Sequence, residues 1–561
     1  VVSATRFALT HDGMQWYLAV VGASCVYFAI SLRVNAFTRD FDFSEHRARV
    51  ERWHPGHLPS VDVFLPICGE DLRVLQNTWE HVAQLRWAAR LRVYVLDDGD
   101  DPAARRMAEL FGFRYLARPD RGLFKKAGNL RYGFERSDGE LIAIFDADFA
   151  PRPDFLRELV PYFDDARVGI VQSPQYFRVL TSQGWLERGA GAVQEWFYRV
   201  VQTSRQQREG AICVGSNAVY RRAALESNGG TTLIEHSEDV HTGFDLRRRG
   251  WSLRYVPVVL ATGLCPGELG AFVSQQYRWC MGSMSLLGSR KFWATRMAVR
   301  TRLCYLSGFG YYVFTAVSTI LMPLVPLVLL ARFPQSVQLG NYVLLIPSMV
   351  LLYIVLPRWH RCRFGLEAWS TKLIYGWAHL FALVDLARRR PEGWKPTGGR
   401  ATRGGRARRY TWAIGVWSGG TAVAWCVLAI ERGLTRPVDF APMLLFGAFY
   451  AVTVARVFTP TRPARAPRSS RRWVLRVVLV MAATIPVLIP AVSAAACRSR
   501  ASRNSAIVWK RASGFLLSAF RTSPRVTSEM LRFISRGSGG SCWTCMKRTA
   551  WLDSATNGTR P

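Results

Sequence analysis

The stretch LIAIFDAD at residues 141–148 joins a short apolar run to two acidic residues. Two similar runs precede it in the chain, at residues 61–66 and 91–96, and polar residues follow each of them. Between residues 60 and 260 such runs alternate with helical patterns, which is typical of an α/β layer structure. Because ligands of open parallel sheets bind beyond the carboxyl ends of the strands, the residues directly after the three runs are candidates for a functional site.

The acidic residues at these strand ends favour a site for a metal ion and a phosphate group. Asp97 and Asp98 follow the second run. Asp146 and Asp148 follow the third and are two positions apart, so both carboxylates can project to the same side. Two such carboxylates suit Mg²⁺ or Mn²⁺ held against a diphosphate, because these hard ions take oxygen ligands and keep positions open for phosphate. A lone Asp-x-Asp pair more often caps a loop, but acidic residues at three strand ends of one segment argue against that interpretation.

Two further positions could act on a phosphorylated substrate. Lys126 lies between the acidic strand ends and could pair with a pyrophosphate, and the small Ala127-Gly128 pair beside it allows close backbone approach. A lysine in such a pair is, taken alone, more often part of a solvated face. Asp239 sits at a predicted helix start, where it could serve as an N-cap or as the general base for an acceptor hydroxyl.

The motif QQYRW at residues 275–279 places three candidate side chains on one face of a predicted helix. Gln275, Arg278 and Trp279 are spaced i, i+3 and i+4. The arginine could neutralise a leaving diphosphate, and the tryptophan face could stack on a sugar ring. An Arg-Trp pair close to a membrane is more often an interface anchor, so the motif alone leaves both interpretations open.

The composition of the whole chain points to a membrane protein. It is 49% hydrophobic and carries a formal net charge of +34, which excludes a disordered chain and leaves either nucleic-acid binding or cationic loops that orient membrane helices. Uncharged candidate spans lie at residues 14–32, 303–331, 341–357, 411–430, 440–455 and 477–496. The strongly basic loops between them then fall on the same side as residues 41–300. We therefore expect a multi-pass protein of the inner or plasma membrane, with lipid and no nucleic acid among its partners.

The ordered motifs resemble the processive family-2 glycosyltransferases, among them the bacterial cellulose synthase catalytic subunits. The resemblance covers about residues 15–460 and rests on DDG at 97–99, KAGNL at 126–130, DAD at 146–148, GSNAVYRR at 215–222, SED at 237–239 and QQYRW at 275–279. It implies an α/β, Rossmann-like catalytic domain of GT-A type in the cytoplasm. An α-helical transmembrane channel domain is expected to carry it.

The resemblance also implies a role for each matching residue. Asp97 or Asp98 would hold the uridine end of a UDP-sugar. The residues implied for nucleotide-sugar binding are Asp97, Asp98, Lys126, Asp146, Gln275 and Arg278. Asp146 and Asp148 would hold the metal ion, Mg²⁺ or Mn²⁺. Asp239 would be the catalytic base, and Trp279 would stack on the acceptor sugar.

The domain organisation expected from these observations has four parts. A transmembrane helix occupies residues 1–40 and the glycosyltransferase domain residues 41–300. Transmembrane helices follow in 301–496, and they include an interfacial helix at 366–388 and a gating-like loop at 391–399. The interfacial assignment follows from Glu367, Lys372, His379 and Asp385 in an otherwise apolar helical pattern. Residues 497–561 form a basic tail that is expected to be disordered.

The expected function is a membrane-embedded inverting transferase that polymerises UDP-glucose into a β-glucan and exports the growing chain. An extracytoplasmic accessory subunit is a further candidate partner. Two departures from the family pattern keep alternatives open: residues 66–70 read PICGE where the family reads like PTYNE, and the gating-like loop lacks the final lysine. No PilZ regulatory motif was found after the last helices. The alternatives are another polysaccharide or linkage, made for example from UDP-N-acetylglucosamine, and a single transfer to a lipid carrier.

Overall fold

The computed structural model describes residues 2–35, 41–355, 365–390, 405–459 and 461. Two helices begin the chain, α1 (Val2–Thr10) and α2 (Tyr17–Asn35). The strands of the segment that follows are β1 (Val61–Ile67), β2 (Leu91–Asp97), β3 (Arg114–Ala117), β4 (Leu141–Ile144), β5 (Phe149–Pro151), β6 (Val168–Gln172), β7 (Tyr176–Phe177), β8 (Ala218–Arg221), β9 (Ser252–Tyr255) and β10 (Ala261–Gly263). The three apolar runs of the sequence are β1, β2 and β4, so the predicted strands are confirmed.

Helices connect these strands and cover the sheet. They are α3 (Phe43–Arg52), α4 (Leu72–Val82), α5 (Pro102–Leu110), α6 (Lys125–Glu135), α7 (Phe155–Leu159), α8 (Trp185–Trp196), α9 (Thr203–Gln206), α10 (Arg222–Ser227), α11 (Glu238–Arg248), α12 (Leu269–Leu287) and α13 (Arg290–Ala294). A π-helical segment, Phe197–Gln202, joins α8 to α9. A 3₁₀ helix, Val160–Asp164, follows α7.

The central sheet has seven strands in the order β3-β2-β1-β4-β8-β6-β9. Strands β3, β2, β1 and β4 are parallel, while β8 runs antiparallel to both β4 and β6. A smaller sheet has the order β5-β10-β7. This mixed α/β arrangement confirms the expected fold class and brings the carboxyl ends of β1, β2 and β4 to one edge. The segment before β8 arrives at the same edge because Ala218 pairs with Ile144.

Both faces of the sheet are covered, which explains why the strands are continuous apolar runs. All seven residues of β1 are buried. Phe64, Ile142 and Ile144 belong to one apolar cluster, whereas Val63 and Leu65 belong to another. The alternation follows from the two-residue period of a strand. The site edge is therefore held by a sheet that is packed on both sides.

The helices after residue 298 include several long, apolar ones. They are α14 (Val299–Arg332), α15 (Leu339–Tyr342), α16 (Ile346–Val350), α17 (Leu366–Ala387), α18 (Gly405–Ile414), α19 (Gly420–Thr435) and α20 (Pro437–Val457). Within the described residues, four helices are long and apolar enough to cross a membrane: Tyr17–Asn35, Val299–Arg332, Tyr410–Thr435 and Pro437–Val457. They coincide with four of the six spans that the sequence predicts.

The other predicted parts of this region do not correspond to single long helices or lie outside the described residues, with one exception at 366–388. The span at 341–357 corresponds to the short helices α15 and α16 and the π-helical segment Leu351–Val355, and its last two residues lie outside the described part of the chain. The span at 477–496, the gating-like loop at 391–399 and the tail at 497–561 also lie outside the described residues. The predicted interfacial helix is α17, which packs against α8, α12, α14 and α20. Its His379 and Thr371 side chains are fully buried.

Candidate active site

Asp97 and Asp98 stand at the end of β2, and both carboxylates are engaged within the protein. The Asp97 carboxylate accepts hydrogen bonds from the backbone N–H of Gly99 and Asp101, at 2.7 and 2.8 Å, and from the Tyr115 hydroxyl at 2.7 Å. Asp97 is fully buried. Its carboxylate therefore shapes the turn that follows β2, and the implied contact of Asp97 with uridine stays a prediction.

Asp98 holds a buried arginine that the sequence analysis did not single out. Arg118 donates from Nε to Asp98 Oδ1 at 2.6 Å, and the side chains are 0% and 5% exposed respectively. A β-carbon on Gly128 would collide with the Arg118 guanidinium and with the Leu123 carbonyl oxygen. The close approach predicted at Ala127-Gly128 thus exists, but it accommodates Arg118. No local pattern indicated this contact, because the partners are 20 residues apart.

Lys126 links three loops of the sheet edge. Its Nζ donates to Asp146 Oδ1 and to the carbonyl oxygen of Gly215 at 3.1 Å, and it lies 3.6 Å from Glu238 Oε1. Burial lowers the pKa of Lys126, but the carboxylates of Asp146 and Glu238 outweigh it and raise the pKa above its usual range. The ammonium is therefore charged at neutral pH, and three motifs that are distant in sequence converge on it.

Asp148 and Asp146 form the predicted metal-binding pair. Burial and the neighbouring Asp146 charge raise the pKa of Asp148 to about 7. Burial likewise raises the pKa of Glu70, with the Asp97 and Asp146 charges adding to the effect. Among the residues that the structure describes, no group of three or more His, Cys, Asp or Glu side chains is arranged to hold a metal ion. The crowded carboxylates of Asp146 and Asp148 nevertheless fit Mg²⁺ or Mn²⁺, whose remaining ligands would be diphosphate and water oxygens.

Asp239 is the second residue of α11 and lies beside the Gly215 loop. A β-carbon on Gly215 would approach the Asp239 β-carbon to 2.8 Å. Burial, followed by the adjacent Glu238 charge, raises the pKa of Asp239 to about 8. The residue before this pair, Ser237, has φ 54° and so adopts the left-handed conformation that non-glycine residues rarely take. The raised pKa of Asp239 lies closer to neutral pH than that of an ordinary aspartate, which suits a general base.

Helix α12 places the QQYRW motif next to the start of α11. Gln275 is buried, and Arg278 Nη1 lies 3.3 Å from Ser274 Oγ. Burial lowers the pKa of Arg278 to about 10, while the charges of Glu238 and Asp146 oppose that effect. Trp279 is half-buried on the same helix. Arg278 therefore lies within the field of the same carboxylates that surround Lys126.

The helix approaches α11 closely because residue 282 is a glycine. A β-carbon there would collide with the Ser237 side chain and lie 2.9 Å from the His236 carbonyl oxygen.

The structure thus gathers most of the predicted site residues at one edge of the sheet. One electrostatic cluster contains the charged side chains of Lys126, Asp146, Asp148, Asp239 and Arg278. The Asp97 carboxylate instead accepts hydrogen bonds from the turn that follows β2. Sequence reasoning missed Glu238, Glu70 and Arg118. The SED motif offered a signal for Glu238, since this carboxylate directly precedes Asp239.

Comparison with known proteins places part of this chain in a glycosyltransferase family. Residues 141–357 match the profile of glycosyl transferase family group 2. The cellulose synthase 1 catalytic subunit (UDP-forming) of Komagataeibacter xylinus is 30% identical over 388 residues, which are 67% of this chain and 50% of that protein. The cellulose synthase catalytic subunit (UDP-forming) of Xanthomonas axonopodis pv. citri is 31% identical over 266 residues, 46% of this chain and 36% of that protein. The chain therefore contains a glycosyltransferase family 2 domain and is homologous to cellulose synthase catalytic subunits.

The extent of these similarities is limited. The chain spans about half the length of the Komagataeibacter relative and about a third of the Xanthomonas relative. Among solved structures, a mannosyltransferase from Pyrobaculum calidifontis in complex with GDP-Man and Mn²⁺ aligns with a TM-score of 0.46 and 18% identity, over 65% of this chain and 96% of that one. The region matched by the family profile includes Asp146, Asp239 and the QQYRW motif.

Proposed function

We propose that the chain is a membrane-embedded inverting glycosyltransferase that polymerises a UDP-sugar, with UDP-glucose as donor and a β-glucan as product. The observation that carries the proposal is the convergence of Lys126, Asp146, Glu238 and Asp239 at one sheet edge, beside the helix that carries Arg278. The names of the homologues support UDP as the leaving group and glucose as the sugar. The four apolar helices support a location in the membrane.

The proposed reaction uses each charged group of this cluster. The Asp239 carboxylate takes the proton of an acceptor hydroxyl, whose oxygen forms a bond to the anomeric carbon of the donor. The bond from that carbon to the diphosphate oxygen breaks on the opposite face, and UDP leaves with the bonding electron pair. Lys126 and Arg278 stabilise the negative charge on the diphosphate. A metal ion bound by Asp146 and Asp148 would supply further Lewis-acid stabilisation.

The remaining roles are proposed from the same resemblance. Trp279 would stack on the acceptor sugar, Gln275 would contribute to the nucleotide-sugar site, and Asp98 would act at the uridine end through its hold on Arg118. The catalytic domain would face the cytoplasm, and the growing polysaccharide would leave through the transmembrane region, where an accessory subunit could receive it. These assignments follow the matching motifs of this chain and their common location.

An incorporation assay tests the proposal. Membrane vesicles that contain the full chain are supplied with radiolabelled UDP-glucose or UDP-N-acetylglucosamine in the presence of Mg²⁺ or Mn²⁺. Polymer formed from UDP-glucose and digested by linkage-specific glucanases is the expected result, and vesicles with Asp239→Asn are the control. Polymer formed only from UDP-N-acetylglucosamine would show that this nucleotide sugar, and not UDP-glucose, is the donor. A lipid-extractable single-sugar product would indicate transfer to a carrier, and incorporation of neither sugar would overturn the proposal.

A further inference from the structure

Lys126 places its ammonium on the carboxylate that the proposed metal site requires. Nζ contacts Asp146 Oδ1, and its other neighbours are the Gly215 carbonyl oxygen at 3.1 Å and Glu238 Oε1 at 3.6 Å. The Lys126 side chain is 20% exposed and that of Asp146 is 31% exposed, so water screens the pair only in part. An internal cation therefore neutralises Asp146.

A divalent cation and this ammonium compete for the same oxygen. Mg²⁺ would need to come within roughly 2.0–2.1 Å of a carboxylate oxygen, and a positive charge hydrogen-bonded to that carboxylate repels any divalent cation. The ammonium has three N–H donors. It can therefore leave Asp146 for a diphosphate oxygen while it keeps the Gly215 carbonyl and Glu238 as partners.

The backbone directly before Lys126 adopts an uncommon conformation. Phe124 and Lys125 have φ values of 52° and 49°, in the left-handed region that non-glycine residues rarely adopt. Strain of this kind is concentrated at ligand clamps and switch regions. Lys126 thus lies in the first turn of α6, directly after two residues that hold an unfavourable backbone conformation.

We propose that Lys126 is an exchangeable internal cation, which neutralises Asp146 until the donor diphosphate draws it away and so opens this carboxylate to Mg²⁺ or Mn²⁺. The inference rests on the proposed function and deepens it, because it makes the binding of metal and nucleotide mutually dependent. By thermodynamic linkage each should strengthen the binding of the other. The donor would then bind as its metal complex.

Binding of Mn²⁺ to the purified full chain in nanodiscs, followed by the electron paramagnetic resonance signal of free Mn²⁺, tests the exchange without any turnover. In the wild-type protein, UDP should strengthen Mn²⁺ binding about tenfold or more. Lys126→Gln should bind Mn²⁺ about tenfold more tightly than the wild type when UDP is absent, because the competing charge is gone. Its gain from UDP should be smaller than that of the wild type, because no competing charge remains to be displaced. Lys125→Gln, the matched control, should behave like the wild type.

The double variant Asp146→Asn, Lys126→Gln should lose the increase in Mn²⁺ affinity that Lys126→Gln alone shows over the wild type. Lys126→Met provides a second uncharged variant if the glutamine variant does not fold. Equal Mn²⁺ affinities of wild type and Lys126→Gln without UDP would overturn the exchange. If wild-type vesicles still incorporate sugar in that case, the proposed function stands. If UDP abolishes the difference in Mn²⁺ affinity but no sugar is incorporated, the exchange stands and the polymerase assignment fails.

Discussion

Asp239 has two close neighbours in the candidate site. Glu238 precedes it in the helix, and Gly215 lies against its side chain. If Asp239 is the base, Asp239→Asn should lower the rate of sugar transfer by about a thousandfold or more, since general-base catalysis typically contributes 10²–10⁴-fold. UDP binding should persist, because the asparagine keeps the volume of the side chain. Radiolabelled transfer and UDP titration measure the two effects.

A second aspartate of the same helix provides the control for this variant. Asp245 pairs with Lys291 at 2.8 Å and accepts a hydrogen bond from the Thr232 hydroxyl at 2.9 Å. Asp245→Asn should therefore lower the stability of the protein but leave the turnover of the folded fraction close to that of the wild type. Turnover that is unchanged in Asp239→Asn would remove the base assignment.

The pH dependence of turnover belongs to the same residue. The pKa of Asp239 is raised to about 8 by burial and by Glu238, and only the ionised form can accept the proton. The rate at saturating donor should therefore rise between about pH 6 and 9 and then level off. A rate that is flat over this interval would contradict the assignment, and a pH series of initial rates decides the matter.

The same raised pKa predicts the direction of a stability change. An unfolded aspartate titrates near 3.8, so the folded chain holds this proton more tightly than the unfolded chain does. Ionisation of Asp239 in the folded state therefore lowers stability as the pH rises from about 4 to 8. Asp239→Asn should lose less stability than the wild type between about pH 5 and 9, as measured by thermal unfolding. A larger loss in the variant would contradict the assigned pKa shift.

At the scale of elements, the contact between α12 and the start of α11 depends on Gly282. Gly282→Ala would drive a β-carbon into Ser237, two residues before Asp239. The helix that carries Arg278 and Trp279 must then move away from the base. Because misplacement by about 1 Å can cost about 10²-fold in rate, turnover should fall by about tenfold or more. Initial rates of the folded protein measure this effect.

Gly270 lies on the same helix and provides the matched control. A β-carbon there would meet no atom within 4 Å, so Gly270→Ala should leave turnover unchanged and slightly favour the helix. Equal losses in the two variants would show that any added methyl group on α12 disturbs the protein. The predicted role of the contact with Ser237 would then be wrong.

Helix α17 is joined to the catalytic segment by a carboxylate shared between two arginines. Glu367 accepts from Arg188 of α8 at 2.5 and 3.0 Å and from Arg456 of α20 at 3.2 Å. Glu367→Gln should cost about 1.5–3 kcal/mol, the usual contribution of charged hydrogen bonds. The midpoint of denaturant unfolding in detergent should fall accordingly.

Glu195, at the end of α8, and Arg199, in the π-helical segment that follows, form a similarly exposed pair and offer a local comparison. It spans one helical turn with the two atoms 3.4 Å apart. Because such a pair contributes only about 0.2–0.5 kcal/mol, Glu195→Gln should cost less than Glu367→Gln. A loss as large as that of Glu367→Gln would show that the link between elements contributes nothing beyond an ordinary surface pair.

These elements also show how far the sequence alone could predict the structure. The strands β1, β2 and β4 were predictable because a strand buried on both faces is a continuous apolar run, and the site followed from their carboxyl ends. Arg118 was not, because its partner Asp98 becomes a neighbour only after the sheet has formed. The packing of α17 was also not predictable, since Glu367 and Asp385 indicate an interfacial helix until their partners on other elements are known.

At the scale of the whole molecule, two groups of contacts mark opposite ends of the long apolar helices. Near the catalytic segment, the Asn35 carbonyl at the end of α2 accepts from Ser204 Oγ at 2.9 Å. At the other end, His11 Nε2 lies 2.7 Å from Ser336 Oγ. Helix α14 has 34 residues and so is about 51 Å long, enough to cross the apolar core of a bilayer, which is about 30 Å thick. The two ends should therefore lie on opposite sides of the membrane.

The basic loops predict which end of these helices faces the cytoplasm. Cysteine labelling can test this orientation. Gln335 is exposed at the end near His11, and Arg106 is exposed on α5 of the catalytic segment. In a background without reactive native cysteines, a membrane-impermeant maleimide should label Gln335→Cys on intact cells. It should label Arg106→Cys only after lysis, because the positive-inside rule predicts a cytoplasmic location for the catalytic segment. The reverse pattern would place the sugar-transfer site outside the cell, where it could not draw on a cytoplasmic supply of UDP-sugar.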